Sequence, residues 1–208
     1  MEKHNALIGY KVAQAMQKRN IEGFYCQDKN EAREKALELM PAKSRVGYGG
    51  SMTLNQIGLL DAVRNGDYDL IDRDASRSPE EKRQMELDAL TADFFLMSGN
   101  AIAMDGTLVN IDGKGNRLAA LVYGPRNVIV IAGVNKIAFN EEQAILRARR
   151  VAAPINALRL KTLTPCVSTG ICHNCLEDQC ICRNMVITRM SSGHNRIKAI
   201  IVGEDLGF

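Results

Sequence analysis

The chain has 208 residues, 46% hydrophobic and 25% charged, which is enough apolar mass for one sizeable core. Basic residues exceed acidic ones by only three, 27 against 24, and there is no tryptophan, so composition argues against a nucleic-acid partner. No stretch approaches the roughly 20 apolar residues of a membrane span. The first 20 residues, MEKHNALIGYKVAQAMQKRN, lack a secretory apolar run, so the expected location is cytoplasmic, where thiols stay reduced.

That first stretch reads as an amphipathic helix, with Leu7, Val12, Ala15 and Met16 near helical spacing. Residues 21–26 follow as a short strand, 30–40 as a helix stopped by Pro41, and 44–48 as a strand running into glycines. A helix is expected over 51–63, a short strand over 67–72, and a helix over 78–92 with Ser78 as its cap and Pro79 at its first position. Strands are expected over 93–98, 101–104 and 107–111. The turn 112–116 then predicts a hairpin returning as a strand over 117–123. The apolar run 127–134 suits a strand buried on both faces. A helix over 139–153, capped by Asn140, and strands over 184–190 and 196–203 complete the chain.

Strands alternating with helices at short intervals predict an α/β fold, a three-layer sandwich around a mainly parallel, Rossmann-like sheet. One domain over 1–208 is expected, with a helical part at 1–40 and a C-terminal cysteine-rich excursion at 165–183.

Chemistry concentrates in two places. After the strand at 44–48, Gly47, Gly49 and Gly50 lead to Ser51, Met52 and Thr53 at the mouth of a helix. Glycines let successive N–H groups face one point, and a helix start favours negative charge, so Gly49–Thr53 suits a phosphate or carboxylate. The loop is neither a Walker loop nor a GxGxxG fingerprint, and a plain capping turn has the same residues. Asn100, and Asn135 with Lys136, stand at strand ends, where open α/β sheets take ligands; Lys136 can neutralise an anion there, or simply begin a turn. Asp105-Gly106 and Asp112-Gly113 read as turn residues, and no Ser-His-Asp or Cys-His arrangement is recognisable.

The second place is PCVSTGICHNCLEDQCIC, residues 165–182, which holds five of the six cysteines. Cys166, Cys172, Cys175, Cys180 and Cys182 form a C-x5-C-x2-C-x4-C-x-C pattern. Four thiolates suit a 4Fe–4S cluster or, alternatively, a zinc ion, with a fifth thiol to spare. The pattern matches neither standard spacing, and reduced structural thiols or a redox pair remain open readings.

Several blocks resemble one family. GGSMTLNQIGL, FLMSGNAIAMDGTLVNIDGKGNRLAALVYGP, VIVIAGVNKI, AAPINALRL, the PC…TG.C..C stretch and IIVGEDLGF are similar, in order and spacing, to the LUD domain family of lactate utilisation proteins, over residues 40–208. The resemblance implies the fold shared by coenzyme A transferases, ribose-5-phosphate isomerase and glucosamine-6-phosphate deaminase, where a glycine loop after a strand holds the phosphate or acyl part of the substrate. It further implies an oxidoreductase-associated role, a subunit or accessory of 2-hydroxy acid (lactate) oxidation working with iron–sulfur subunits. The alternatives are a stand-alone enzyme or sensor for a small phosphorylated or acyl anion, and a structural or assembly protein. A second copy of the chain is a further candidate partner. The ferredoxin-like CxxCxxCxxxCP run of the larger lactate-utilisation subunits is missing. So are clear counterparts of the transferase glutamate, Glu204 being an isolated acid, and of the isomerase acidic motif, where Gly99-Asn100-Ala101 stands.

Overall fold

The computed structural model describes residues 2–208. In chain order its elements are α1 (Glu2–Gln17), β1 (Ile21–Cys26), α2 (Lys29–Glu38), β2 (Arg45–Tyr48), α3 (Met52–Gln56), α4 (Leu59–Asn65) and β3 (Asp69–Leu70). Then come α5 (Pro79–Asp88), β4 (Phe94–Ser98), β5 (Ala101–Ala103), β6 (Leu108–Asp112), α6 (Asn116–Val122), β7 (Asn127–Gly133) and β8 (Ile137–Ala138). The last are α7 (Glu141–Arg147), α8 (Ala153–Arg159), α9 (Pro165–Thr169), β9 (Asn184–Thr188) and β10 (Ile197–Val202).

Six strands form an all-parallel sheet in the order β1-β10-β7-β4-β2-β3. Alternation along β7 sets its two faces. Val128, Val130 and Ala132 join a core with α1 and α6, through Val12, Met16, Ala120 and Leu121. Ile129 and Ile131 join a second core with α2, α3 and α4, through Ala32, Ala36, Leu54, Leu59 and Val63. The result is the three-layer α/β sandwich expected from sequence. A second, four-stranded sheet, β8-β5-β6-β9, grows from the carboxyl ends of β4 and β7 and packs on Ala144 and Ala148. Among the described residues no helix is long and apolar enough to cross a membrane.

Local chemistry explains the helix starts. Asp28 accepts from the N–H of Asn30 and Glu31, Ser78 from Glu81 and Asn140 from Gln143, each satisfying amides that a first turn leaves free. Three expectations need correction. The stretch 117–123 is helix α6, not the second strand of a hairpin. The Asp112 carboxylate accepts the N–H groups of Lys114 and Gly115, which turns the chain, and Leu118 and Leu121 at i, i+3 then bury one face. The helix expected over 51–63 is two helices, broken at Gly58, whose φ of 69° is left-handed. The helix expected over 139–153 passes through a π turn at Ala148–Ala152 and continues as α8. Pro154 cannot donate to the preceding turn, and the wider turn accommodates it, with the Ala153 N–H reaching the Ala148 carbonyl.

Candidate functional site

Three strand ends converge at the carboxyl edge of the large sheet. β2 leads to Gly49 and Gly50, β4 ends at Ser98, and β7 passes through the turn Val134–Lys136. β2 and β4 are neighbours, but the chain leaves β2 toward β3 on one side and β4 toward β7 on the other. Such a switch of direction opens a crevice between the loops. Here it holds a pocket of about 450 Å³.

Lys136 forms part of its wall and is only 3% exposed. Its Nζ donates to Ser98 Oγ at 2.9 Å and to Thr53 Oγ1 at 3.0 Å, and the two hydroxyls lie 3.2 Å apart. Both charged groups that act on it, Arg147 and Arg117, are cations. Burial, reinforced by these two, lowers the lysine to about 7. Gly207 packs over this cluster. A Cβ placed there would lie 2.6 Å from Thr53 Oγ1 and 2.9 Å from Lys136 Nζ, an approach only glycine permits.

The pocket lining is strongly basic. Arg73, Lys82, Lys114, Arg117, Lys136 and Arg159 contribute six positive groups against Glu86 and Asp112. Asp112 pairs with Arg117 at 2.7 Å, and Glu86 lies between Arg73 at 3.2 Å and Lys114 at 3.6 Å. Cations therefore outnumber the acids they can pair with, and a site so lined attracts anions. A second, larger depression, about 680 Å³, lies by Glu2, Lys29, Glu204 and Asp205 and has no such excess. Glu204 there accepts the N–H of Lys29 at the start of α2, a capping role.

A family model described as the LUD domain matches residues 10–202. The chain belongs to the LUD domain family. The LUD chain is also similar to a solved structure, a DUF162-family protein from Deinococcus radiodurans. The TM-score is 0.53 and the identity 14%, over 95% of this chain and 98% of that one, a likeness of fold. A search of curated proteins finds no match.

The LUD pocket gathers six of the eight residues singled out for ligand binding: Gly50, Ser51, Met52, Thr53, Asn100 and Lys136. Gly49 instead donates to the Leu96 carbonyl and packs on the Arg117 stem. Asn135 braces the chain by exchanging hydrogen bonds with the backbone of Leu206. Ser51 caps α3 through the Leu54 N–H, and α3 has only five residues, so side-chain cations rather than a helix terminus make the pocket positive. Asn100 accepts the Ile111 N–H, fastening β6 beside the pocket. Sequence reasoning missed Arg117 and Arg147. Arg147 donates to the carbonyls of Asn135 and Asn100, and its place three residues after buried Ala144 was an available sign that it faces inward.

The cysteine-rich segment forms another wall of this pocket, through Ile181. All its thiols are free and half-buried, while Cys26 lies in the core. Burial pushes Cys182 up to about 12, with Cys180, Cys172 and Cys166 close enough to add to it. Cys175 is raised by burial and by Cys180 and Cys166. The five thiols share one short segment, a donor set suited in kind to zinc or an iron–sulfur cluster. Among the described residues, however, no three His, Cys, Asp or Glu side chains are arranged to hold a metal ion.

Proposed function

We propose that this LUD-domain protein binds a small organic anion in the pocket above Gly50–Thr53, with Lys136 as the group that meets its charge. Buried Lys136, held by two hydroxyls with cations as its charged neighbours, carries this reading. An amine in such surroundings lacks a counter-charge, and a carboxylate or phosphate oxygen supplies one. The excess of cations around the rim favours a ligand with more than one acidic oxygen. Within a family associated with lactate utilisation, 2-hydroxy acids are the first candidates, followed by phosphate and acyl esters.

The test is calorimetric titration with L-lactate, pyruvate, sugar phosphates and coenzyme A esters, repeated on Lys136→Met. Saturable binding by at least one, weakened at least about tenfold in the variant, supports the reading. Absence of binding by every ligand sinks it.

A second reading adds iron–sulfur partner subunits that carry electrons from a 2-hydroxy acid bound here. The thiol-rich wall at Ile181 favours it, because it brings a redox-capable segment to the anion pocket. Co-purification of an iron-containing partner with the tagged chain tests it, and a chain isolated from its source without one argues against it.

A further inference from the structure

The thiols of 166–182 are arranged in a way that packing alone does not require. The Asn174 N–H donates to Cys172 Sγ at 3.5 Å and the Cys182 N–H to Cys180 Sγ at 3.4 Å. In each case the donor lies two residues after the cysteine. An N–H aimed at a sulfur from two residues on is a contact that a metal-bound thiolate can keep. The bend between Cys172 and Cys175 is made at Asn174, whose φ of 53° is left-handed.

Charge and backbone agree with the sulfurs. Arg149 donates to the Asn174 side chain and Arg183 to the Asp178 carbonyl, so two guanidiniums hold a loop in which a thiolate centre would carry net negative charge. No amide of residues 171–179 donates to a backbone carbonyl, so the loop can draw its sulfurs together at little cost in broken hydrogen bonds. Thiols kept for packing would be buried like Cys26 or packed on a core like Cys182; Cys166, Cys172, Cys175 and Cys180 join none of the core clusters.

We propose that this segment binds a soft metal centre through four thiolates, Cys172 and Cys175 forming one pair and two of Cys166, Cys180 and Cys182 completing it. Each thiol that ligates the centre releases its proton. The site stands on the sulfurs alone and does not depend on anion binding in the neighbouring pocket.

The experiment uses the full chain, reduced and oxygen-free, incubated separately with Co²⁺, with Zn²⁺, and with Fe²⁺ plus sulfide, then desalted. The expected result is about one retained cobalt per chain, with the visible bands of tetrahedral thiolate coordination, displaced by zinc. An iron–sulfide chromophore in the third arm identifies a cluster as the occupant, and its absence beside retained zinc identifies a single ion. A Cys172→Ser, Cys175→Ser double variant with unchanged circular dichroism loses the metal, and Cys26→Ser keeps it. Retention in none of the arms overturns the proposal, as does equal retention by the double variant. Disulfide formation in air by a chain that retains no metal also overturns it, in favour of a redox pair.

Discussion

The ammonium of Lys136 gives up most of its water on folding and has two guanidiniums nearby, which is why, despite two hydroxyl acceptors, its proton is held only to about pH 7. This has consequences for both ligand binding and stability. An anion favours the protonated amine, so affinity is full below about 7 and falls as pH rises above it, by up to about tenfold per unit, the limit for one linked proton. Calorimetry across this range checks the slope, and Lys136→Met should flatten it. The stability effect has the opposite slope. Between about 7 in the folded chain and 10.5 in the unfolded one, the unfolded chain binds more protons, so stability rises with pH across that window. Below it both states are protonated and the full burial penalty applies. Lys136→Met should lose this rise in urea unfolding, and an unchanged rise would assign it to other groups.

Among the elements, the glycine loop and the chain around residue 207 make contrasting predictions. Gly50 lines the pocket, and a Cβ built on it meets no atom within 4 Å. Gly50→Val should therefore leave stability within about 0.5 kcal/mol while weakening anion binding by taking room from the pocket. Gly207 has φ of 63° and no space above Thr53 and Lys136, so Gly207→Val should cost about 1–3 kcal/mol by overpacking as well as disturb binding. Urea unfolding beside calorimetry separates the two; equal stability losses would show that Gly50 is packed after all. The same elements show what could be read from sequence. Helices with a Ser or Asn cap and the continuous apolar run of β7 carry their own signals. The stretch 117–123 does not, because RLAALVY fits either period and only the Asp112 turn before it decides. Lys136 and the Gly50–Thr53 loop were accessible as strand-end positions. Arg117 and Gly207 reach the pocket from α6 and the chain beyond β10, and Arg147 acts on Lys136 from α7, so only tertiary packing assembles them.

Across the whole molecule, stability should be unevenly distributed. β7 and β10 are central, parallel and covered on both faces, with Val130, Ile131, Ala199 and Ile200 fully buried, so their amides open only with the whole fold. Residues 171–179 have no amide bonded to a backbone carbonyl and pack mostly at the surface. Hydrogen exchange read by mass spectrometry should therefore find 171–179 exchanged at the earliest times and β7 and β10 last. Metal loading should then slow the first group and leave the second unchanged, because a thiolate centre closes a loop without touching the sheet. Slow exchange in 171–179 before any metal is added would mean that the loop is already locked by packing. Its thiols would then be structural, and the basic pocket beside it would have to work without them.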